Sequence, residues 1–230
     1  MDYTQQLESD IIEWDIKTWK QALVFWDKIL GQNLQKQRAL EIGARNGGLS
    51  LYLGLKGCSV ICSDIKGPSP LAKEKHVKYG IKEFVSYLAL DGTRMPFPDN
   101  FFDIIAFKSL LGGIGRNNAK YLQERAMYEI YRVLKPKGIL LFAENLVGSF
   151  FHFYFRKYFI KWASYWRYIT IDEMQFFTSS FKGVHYETKG FFATFGRTER
   201  LRQWLYYIDR LVDPYISRIN KYLIYGYAQK

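Results

Sequence analysis

Apolar side chains recur at helical spacing through residues 11–30, at Ile12, Ile16, Trp19, Leu23, Trp26 and Ile29-Leu30. The pattern predicts one helix, with Ser9 or Asp10 as its cap and Gly31 as its end. Trp14, Trp19 and Trp26 are then core residues, unless one of them covers a ligand. A short apolar run over 38–43 reads as a first strand, and a glycine turn leads into a helix over 47–55. Gly57 breaks that helix, and 58–63 reads as a second strand ending in Asp64. The turn Gly67-Pro68-Ser69-Pro70 opens a polar helix through Tyr79. A third strand lies within 84–90, closed by Asp91-Gly92, and a proline-punctuated loop covers 95–100. Residues 101–107 read as a fourth strand, followed by Lys108-Ser109 and a glycine-rich loop over 112–115. Leu122, Ala126, Ile130, Val133 and Leu134 predict a helix over 118–134, ended by Lys135-Pro136-Lys137-Gly138. A fifth strand spans 139–143 and stops at Glu144-Asn145.

The character changes after Asn145. Residues 149–167 are aromatic and basic and read as helical, and 171–177 as a short helix capped by Thr170 with Glu173 beside it. Residues 184–195 read as a strand with Gly190 as a bulge. Leu201, Trp204, Leu205, Ile208, Leu211, Val212 and Tyr215 form a helical stripe, and 222–228 reads as a last strand. Strands alternating with helices imply a parallel sheet covered on both faces, and right-handed crossovers restrict it to a doubly wound α/β fold. With no repeat and no low-complexity linker, the expectation is a single domain. It divides into an N-terminal helical cap (1–36), a ligand-binding core (37–145), and an aromatic-rich helical lobe with the last strands (146–230).

Composition sharpens the contrast between the two parts. Of 42 aromatic residues, 25 lie from Leu146 onward, where 13 Lys/Arg face 6 Asp/Glu; the whole chain is +11. A basic, aromatic lobe suits an anionic partner such as a phosphate-bearing substrate, a membrane surface or nucleic acid; it also suits a solvated basic surface over an aromatic core. The apolar stretch near 146–155 is broken by His152 and Arg156-Lys157, too short for the roughly 20 residues of a membrane span. Cys58 and Cys62 lie four apart on a predicted strand, on the order of 13 Å, too far to bridge. They form no zinc-type constellation, so no metal is expected, and burial suits both. With no signal-peptide pattern, this fits a reducing cytoplasmic compartment.

Ligands of doubly wound folds bind at the carboxyl ends of the strands, which here carry Gly43, Asp64, Asp91 and Lys108. A nucleoside ligand needs a glycine turn for its polar tail, a carboxylate for the ribose hydroxyls and an edge for the base. The segment Glu41–Gly47, Asp64 and Asp91 supply these in order, and Asp64 follows Gly43 by 21 residues, the spacing of a ribose-binding acid. A dinucleotide would need glycine at position 45, where this chain has Arg45, while Gly48 fits the last place of that fingerprint. Each acid taken alone also reads as a cap or turn former.

Leu40-Glu41-Ile42-Gly43-Ala44-Arg45-Asn46-Gly47 resembles the first motif of class I S-adenosylmethionine-dependent methyltransferases. Residues 91–103, Asp-Gly-Thr-Arg-Met-Pro-Phe-Pro-Asp-Asn-Phe-Phe-Asp, resemble the adenine loop and fourth strand of the type 11 subgroup, and 129–140 its helix-to-fifth-strand signature. The likeness covers 38–145. It implies a Rossmann-like, seven-stranded, mostly parallel sheet with the helical lobe inserted before the last strands, and S-adenosyl-L-methionine as cofactor. By the same resemblance Glu41, Gly43, Ala44, Arg45 and Gly47 hold the methionine part. Asp64 and Ile65 bind ribose and adenine, Asp91 and Gly92 meet the adenine edge, and Lys108 and Ser109 line the path to the methyl group. Arg45 departs from the pattern by replacing a glycine. Its guanidinium either pairs with the cofactor carboxylate or points into solvent.

Methyl transfer from a sulfonium is an in-line displacement in which positioning supplies much of the rate. A hydroxyl acceptor also needs a base, for which His152 and His185 are the candidates in the lobe. His76 is expected far from the strand ends, and Asp103 at the wrong end of its strand, so no catalytic residue is assigned. The favoured acceptor is a small molecule or sugar, methylated on oxygen or nitrogen, with phosphate-linked and lipid-linked forms included. Peripheral contact with the inner face of a membrane belongs to the same expectation. Nucleic-acid methylation is second among the enzyme readings; the Asn/Asp-Pro-Pro-Tyr type of motif is missing after Phe107, which counts only against amino methylation. A protein that binds the cofactor without turnover is the alternative from another class, favoured by Arg45 and Lys108, and an NAD-linked enzyme is a distant third.

Overall fold

Alternating apolar runs and amphipathic segments close into one sheet with helices on both faces. The structure, a computed structural model, describes residues 4–31, 33–160 and 165–230. Among the described residues seven strands are present: β1 (Arg38–Ile42), β2 (Ser59–Asp64), β3 (Val85–Ala89), β4 (Phe102–Lys108), β5 (Leu134–Asn145), β6 (Gly183–Lys189) and β7 (Leu223–Gln229). Their order is β3-β2-β1-β4-β5-β7-β6. The first five run parallel, and β7 lies antiparallel between β5 and β6. The helices are α1 (Gln5–Ile12), α2 (Ile16–Asp27), α3 (Gly48–Leu55), α4 (Pro70–Lys78), α5 (Leu111–Ile114), α6 (Lys120–Val133), α7 (Phe150–Phe159), α8 (Ile171–Phe177) and α9 (Glu199–Val212).

Two apolar clusters flank the sheet. One gathers Trp19, Trp26, Tyr52, Leu49 and Leu51 from α2 and α3 over one face. The other packs Phe102, Phe107, Met127, Ile130 and Val133 beneath α6 and α8 on the opposite face. The α6 stripe is buried at Ala126, Met127, Ile130 and Val133 while Tyr121 and Tyr128 stay exposed, as helical periodicity requires. Arg132 fixes the proline loop to this helix, donating to the carbonyls of Phe97 at 2.7 Å and Met95 at 3.0 Å and to Asp99 at 2.9 Å. Trp26 Nε1 donates to the Gly226 carbonyl at 2.9 Å, so α2 is stapled to the last strand 200 residues away.

Four expectations are corrected. The helix over 11–30 is two helices, because Glu13 and Asp15 adopt φ of 74° and 48°. The break is held from α9, where Glu199 accepts from the Asp15 and Ile16 amides at 2.9 Å each. Ser9 and Asp10 lie inside α1, whose cap is Thr4, accepting from the Leu7 amide. Gly190 is not a bulge: β6 ends at Lys189, and Gly190 turns the chain at φ +78° against the Tyr222 ring, where a Cβ would sit 2.4 Å from Cε1. The helix expected over 149–167 ends at Phe159; residues 161–164 lie outside the described residues, and Ile169 already pairs with Leu146 as a bridge. The stripe of α9 is helical but faces outward, since Leu201, Trp204 and Leu211 are exposed and Asp209 is its buried residue.

Candidate functional site

The carboxyl ends of β1, β2, β4 and β5 and the loop after β3 open into one cavity of about 2190 Å³. Pockets for a single small ligand run about 300–1,000 Å³, so this one has room for two ligands side by side. Ten of the eleven expected site residues border it: Glu41, Gly43, Ala44, Arg45, Asp64, Ile65, Asp91, Gly92, Lys108 and Ser109. Gly47 does not. It is buried at φ +69°, and a Cβ there would lie 2.7 Å from His76 Cε1 and 3.0 Å from Ala72 Cβ. Glycine is required at 47 by the turn itself.

The turn after β1 is tied on every side. The Glu41 carboxylate accepts from the first amides of α3, Leu49 at 3.0 Å and Ser50 at 2.7 Å. Burial raises its pKa to about 7 against the pull of those amides. The Ala44 amide donates to the Ser63 carbonyl at 2.8 Å, and Ser69 donates through its amide to the Arg45 carbonyl and through its hydroxyl to Asn46 Oδ1. His76 is closer than expected. Its Nε2 donates to the Gly47 carbonyl at 2.9 Å, which leaves Nδ1 to accept from the Tyr87 hydroxyl. It braces the turn from behind and does not border the cavity.

Asp64 and Asp91 stand on the same wall. The Asp64 carbonyl accepts from the Leu90 amide at 2.8 Å, and its Oδ2 accepts from the Arg45 amide at 2.9 Å. Its neighbour Ile65 is 63% exposed, an apolar plate beside a carboxylate. Asp91 Oδ1 accepts from the amide and hydroxyl of Thr93, both at 2.8 Å, which fixes the loop after β3. Gly92 leaves 3.1 Å between a would-be Cβ and Ile42 Cγ2.

The next wall comes from β4 and β5. Lys108 turns its ammonium to the Ile12 carbonyl at 2.6 Å, at the C-terminal end of α1 where a cation is favoured. Burial lowers its pKa to about 8. Ser109, at φ 53°, accepts from the Asn145 amide side chain at 2.8 Å. Behind them Glu144 accepts from the amides of Leu110 and Leu111 at 2.7 and 2.6 Å, and burial raises its pKa to about 7.

The rest of the wall comes from segments without a recognisable motif: Glu13 and Trp14 after α1, Asn117, Asn145, Arg156 of α7, the 165–168 segment, Thr194 and Arg202 of α9. The Trp166 indole lies directly on Gly112, where a Cβ would come 1.6 Å from its Nε1, and packs closely on Gly113. Neither lobe histidine borders this space. His152 is buried, donates from Nε2 to the Phe191 carbonyl and accepts the Ser149 amide at Nδ1, and burial lowers its pKa to about 4. His185 stacks on Tyr227 at the sheet edge. Asp103 lies at the far end of β4, bonded to the Arg38 amide and Lys135.

Residues 40–142 match the family described as "Methyltransferase domain". Over 114 residues the chain is 32% identical to a ubiquinone/menaquinone biosynthesis C-methyltransferase from Pectobacterium carotovorum. That alignment spans 48% of this chain and 43% of the relative, so the chain matches less than half the relative's length. Its fold is similar to phosphoethanolamine N-methyltransferase 2 from Haemonchus contortus, at 18% identity and a TM-score of 0.63, over 92% of this chain and 52% of that one. It is also similar to the [4+2]-cyclase SpnF, at 16% identity and a TM-score of 0.60, over 93% and 82% of the two chains.

Proposed function

We propose that the chain, whose residues 40–142 match a methyltransferase domain, is a class I S-adenosylmethionine-dependent methyltransferase that moves the methyl group to an oxygen or nitrogen of a small-molecule acceptor. The observation that carries this reading is the large cavity joining the strand-end residues to the aromatic segment 165–168. In it the 43–46 turn takes the methionine part of the cofactor. Asp64, with Oδ2 held by the Arg45 amide, leaves Oδ1 for a ribose hydroxyl. Ile65 lies against the adenine, and Asp91 and Gly92 meet its edge. Bound there, S-adenosylmethionine would supply an electrophilic methyl group to the acceptor's lone pair, the carbon–sulfur bonding pair staying on sulfur as a thioether and the acceptor's proton passing to solvent. Ser109 and Lys108 border the path between the two ligands. No side chain is assigned as base.

The face of α7 turned to solvent supports a lipid-linked form of the acceptor, met at an anionic membrane surface. Phe150, Phe151, Phe153, Tyr158 and Phe159 are all exposed there, and Lys157 lies over the Phe153 and Tyr158 rings. Among the described residues no helix is long and apolar enough to cross a membrane.

The competing reading, a protein that binds the cofactor without turnover, draws on the Lys108 ammonium beside a sulfonium site. Calorimetry with S-adenosylhomocysteine tests the cofactor assignment: saturable binding is expected, and NAD binding in its place overturns it. Transfer of labelled methyl across a panel of phenols, amines and lipid-linked sugars separates enzyme from binding protein. Thermal stabilisation by the cofactor with no transfer to any of them favours the second.

A further inference from the structure

We propose that the far end of the cavity is a subsite for an oxyanion on the acceptor, a carboxylate or a phosphate, with Arg156 as its receptor. The inference rests on the methyltransferase reading and deepens it. The cavity wall carries cations of both kinds: Arg45, Lys75, Lys78 and Lys108 share their part of the chain with the carboxylates between Asp10 and Asp91, whereas the segments from Ser109 onward bring Arg116, Arg156 and Arg202 and no Asp or Glu to the wall.

Arg156 is the sharper observation. Among the described residues Lys56, Lys75, Lys221 and Arg156 are the buried Lys and Arg residues by side-chain exposure, beside Lys108, whose buried ammonium is held by the Ile12 carbonyl. Lys56, Lys75 and Lys221 each have a carboxylate: Asp27 at 2.7 Å, Glu13 at 2.9 Å and Asp213 at 2.8 Å. Among the described residues Arg156 has none within 4.0 Å. One of its nitrogens donates to the Leu146 and Val147 carbonyls at 2.6 and 3.1 Å, and its guanidinium lies 4.0 Å over the Tyr168 ring. Burying a charge without a counter-charge is costly, and a ligand that brings the anion removes that cost on binding. The planar fork of arginine matches an oxyanion through two parallel bonds, and Tyr168 holds the fork's plane in place. Arg202 also borders the cavity; one of its terminal nitrogens donates to Glu199 at 3.4 Å, while its Nε is buried without a hydrogen-bond partner, a second donor not yet used.

Calorimetry on the full chain saturated with S-adenosylhomocysteine tests this with three probes of similar size: phenyl phosphate, benzoate and phenol. At least one anion is expected to bind ten or more times more tightly than phenol, and the better of the two tells phosphate from carboxylate. Arg156→Met should abolish the preference while S-adenosylhomocysteine affinity stays unchanged, and Arg202→Met should reduce it about threefold. If Arg156→Met fails to fold, the wild-type comparison and Arg202→Met still decide. Equal binding, or equal absence of binding, of charged and neutral probes to the wild type overturns the proposal. Failure of S-adenosylhomocysteine itself to bind strikes the cofactor assignment instead.

Discussion

At the tip of β1, Glu41 holds the first amides of α3, and at the tip of β5, Glu144 holds the first amides of α5. Both carboxylates are buried, and both are pushed up to about 7 by that burial. The two corners differ in reach. Glu41 serves the helix that follows its own strand, eight and nine residues on. Glu144 reaches back across the β4–β5 pairing to a helix more than 30 residues earlier in the chain. The Glu41 hydrogen bonds close over eight and nine residues of chain and can form locally. The second corner exists only once two strands have found each other, and the acceptor side of the cavity inherits that dependence.

Breaking the local corner should have the largest effect. Gly47→Ala forces a Cβ against His76 and Ala72 at an unfavourable φ, and a loss of about 2–4 kcal/mol in chemical denaturation is expected. A stability within about 0.5 kcal/mol of wild type would show that the turn relaxes freely. Asp64→Ala should weaken S-adenosylhomocysteine binding about thirtyfold, through the ribose hydroxyl bonds, with little change in melting temperature. Arg45→Ala should weaken it more than tenfold if the guanidinium pairs with the cofactor carboxylate. An unchanged dissociation constant in calorimetry would return Arg45 to the solvent-facing role.

The smallest effect belongs to the long-range corner and appears with pH. Glu144 keeps its proton up to about pH 7 when folded and ionises from about 4.5 when unfolded, so the unfolded state binds fewer protons between those limits. Stability should therefore fall as pH rises from about 4.5 to 7 and level off above it. Glu144→Gln, read by thermal unfolding across that range, should flatten the slope. An equally steep slope in the variant would assign it to the other carboxyls raised by burial, Glu41 and Asp15.

The same contrast explains what could be read from residue order. The strand-end acids and the glycine turn lie within short windows whose spacing reflects one turn of backbone, so Glu41, Gly43, Asp64 and Asp91 were legible. The break at Glu13–Asp15 was not, because its cause is Glu199 on α9. His76 was misplaced because helix periodicity says nothing about which loop a helix face will meet. Arg156, Trp166 and Asn145 left only a compositional trace, the aromatic and basic bias after Leu146, since their partners are carbonyls, bare glycine backbone and a serine hydroxyl. The outward stripe of α9 shows the limit of periodicity: the spacing locates the helix and does not say whether the stripe meets the core.

The placement of β7 has a consequence for synthesis. Among the described residues β6 pairs with β7 alone, β5 has β7 as its outer neighbour, and Trp26 of α2 bonds to its Gly226. On the ribosome, until residue 229 emerges from the exit tunnel, β5 therefore presents an unpaired edge and the first helices have lost their staple. A nascent chain in that state offers apolar rings and open strand edges together, the combination that recruits chaperones or drives aggregation.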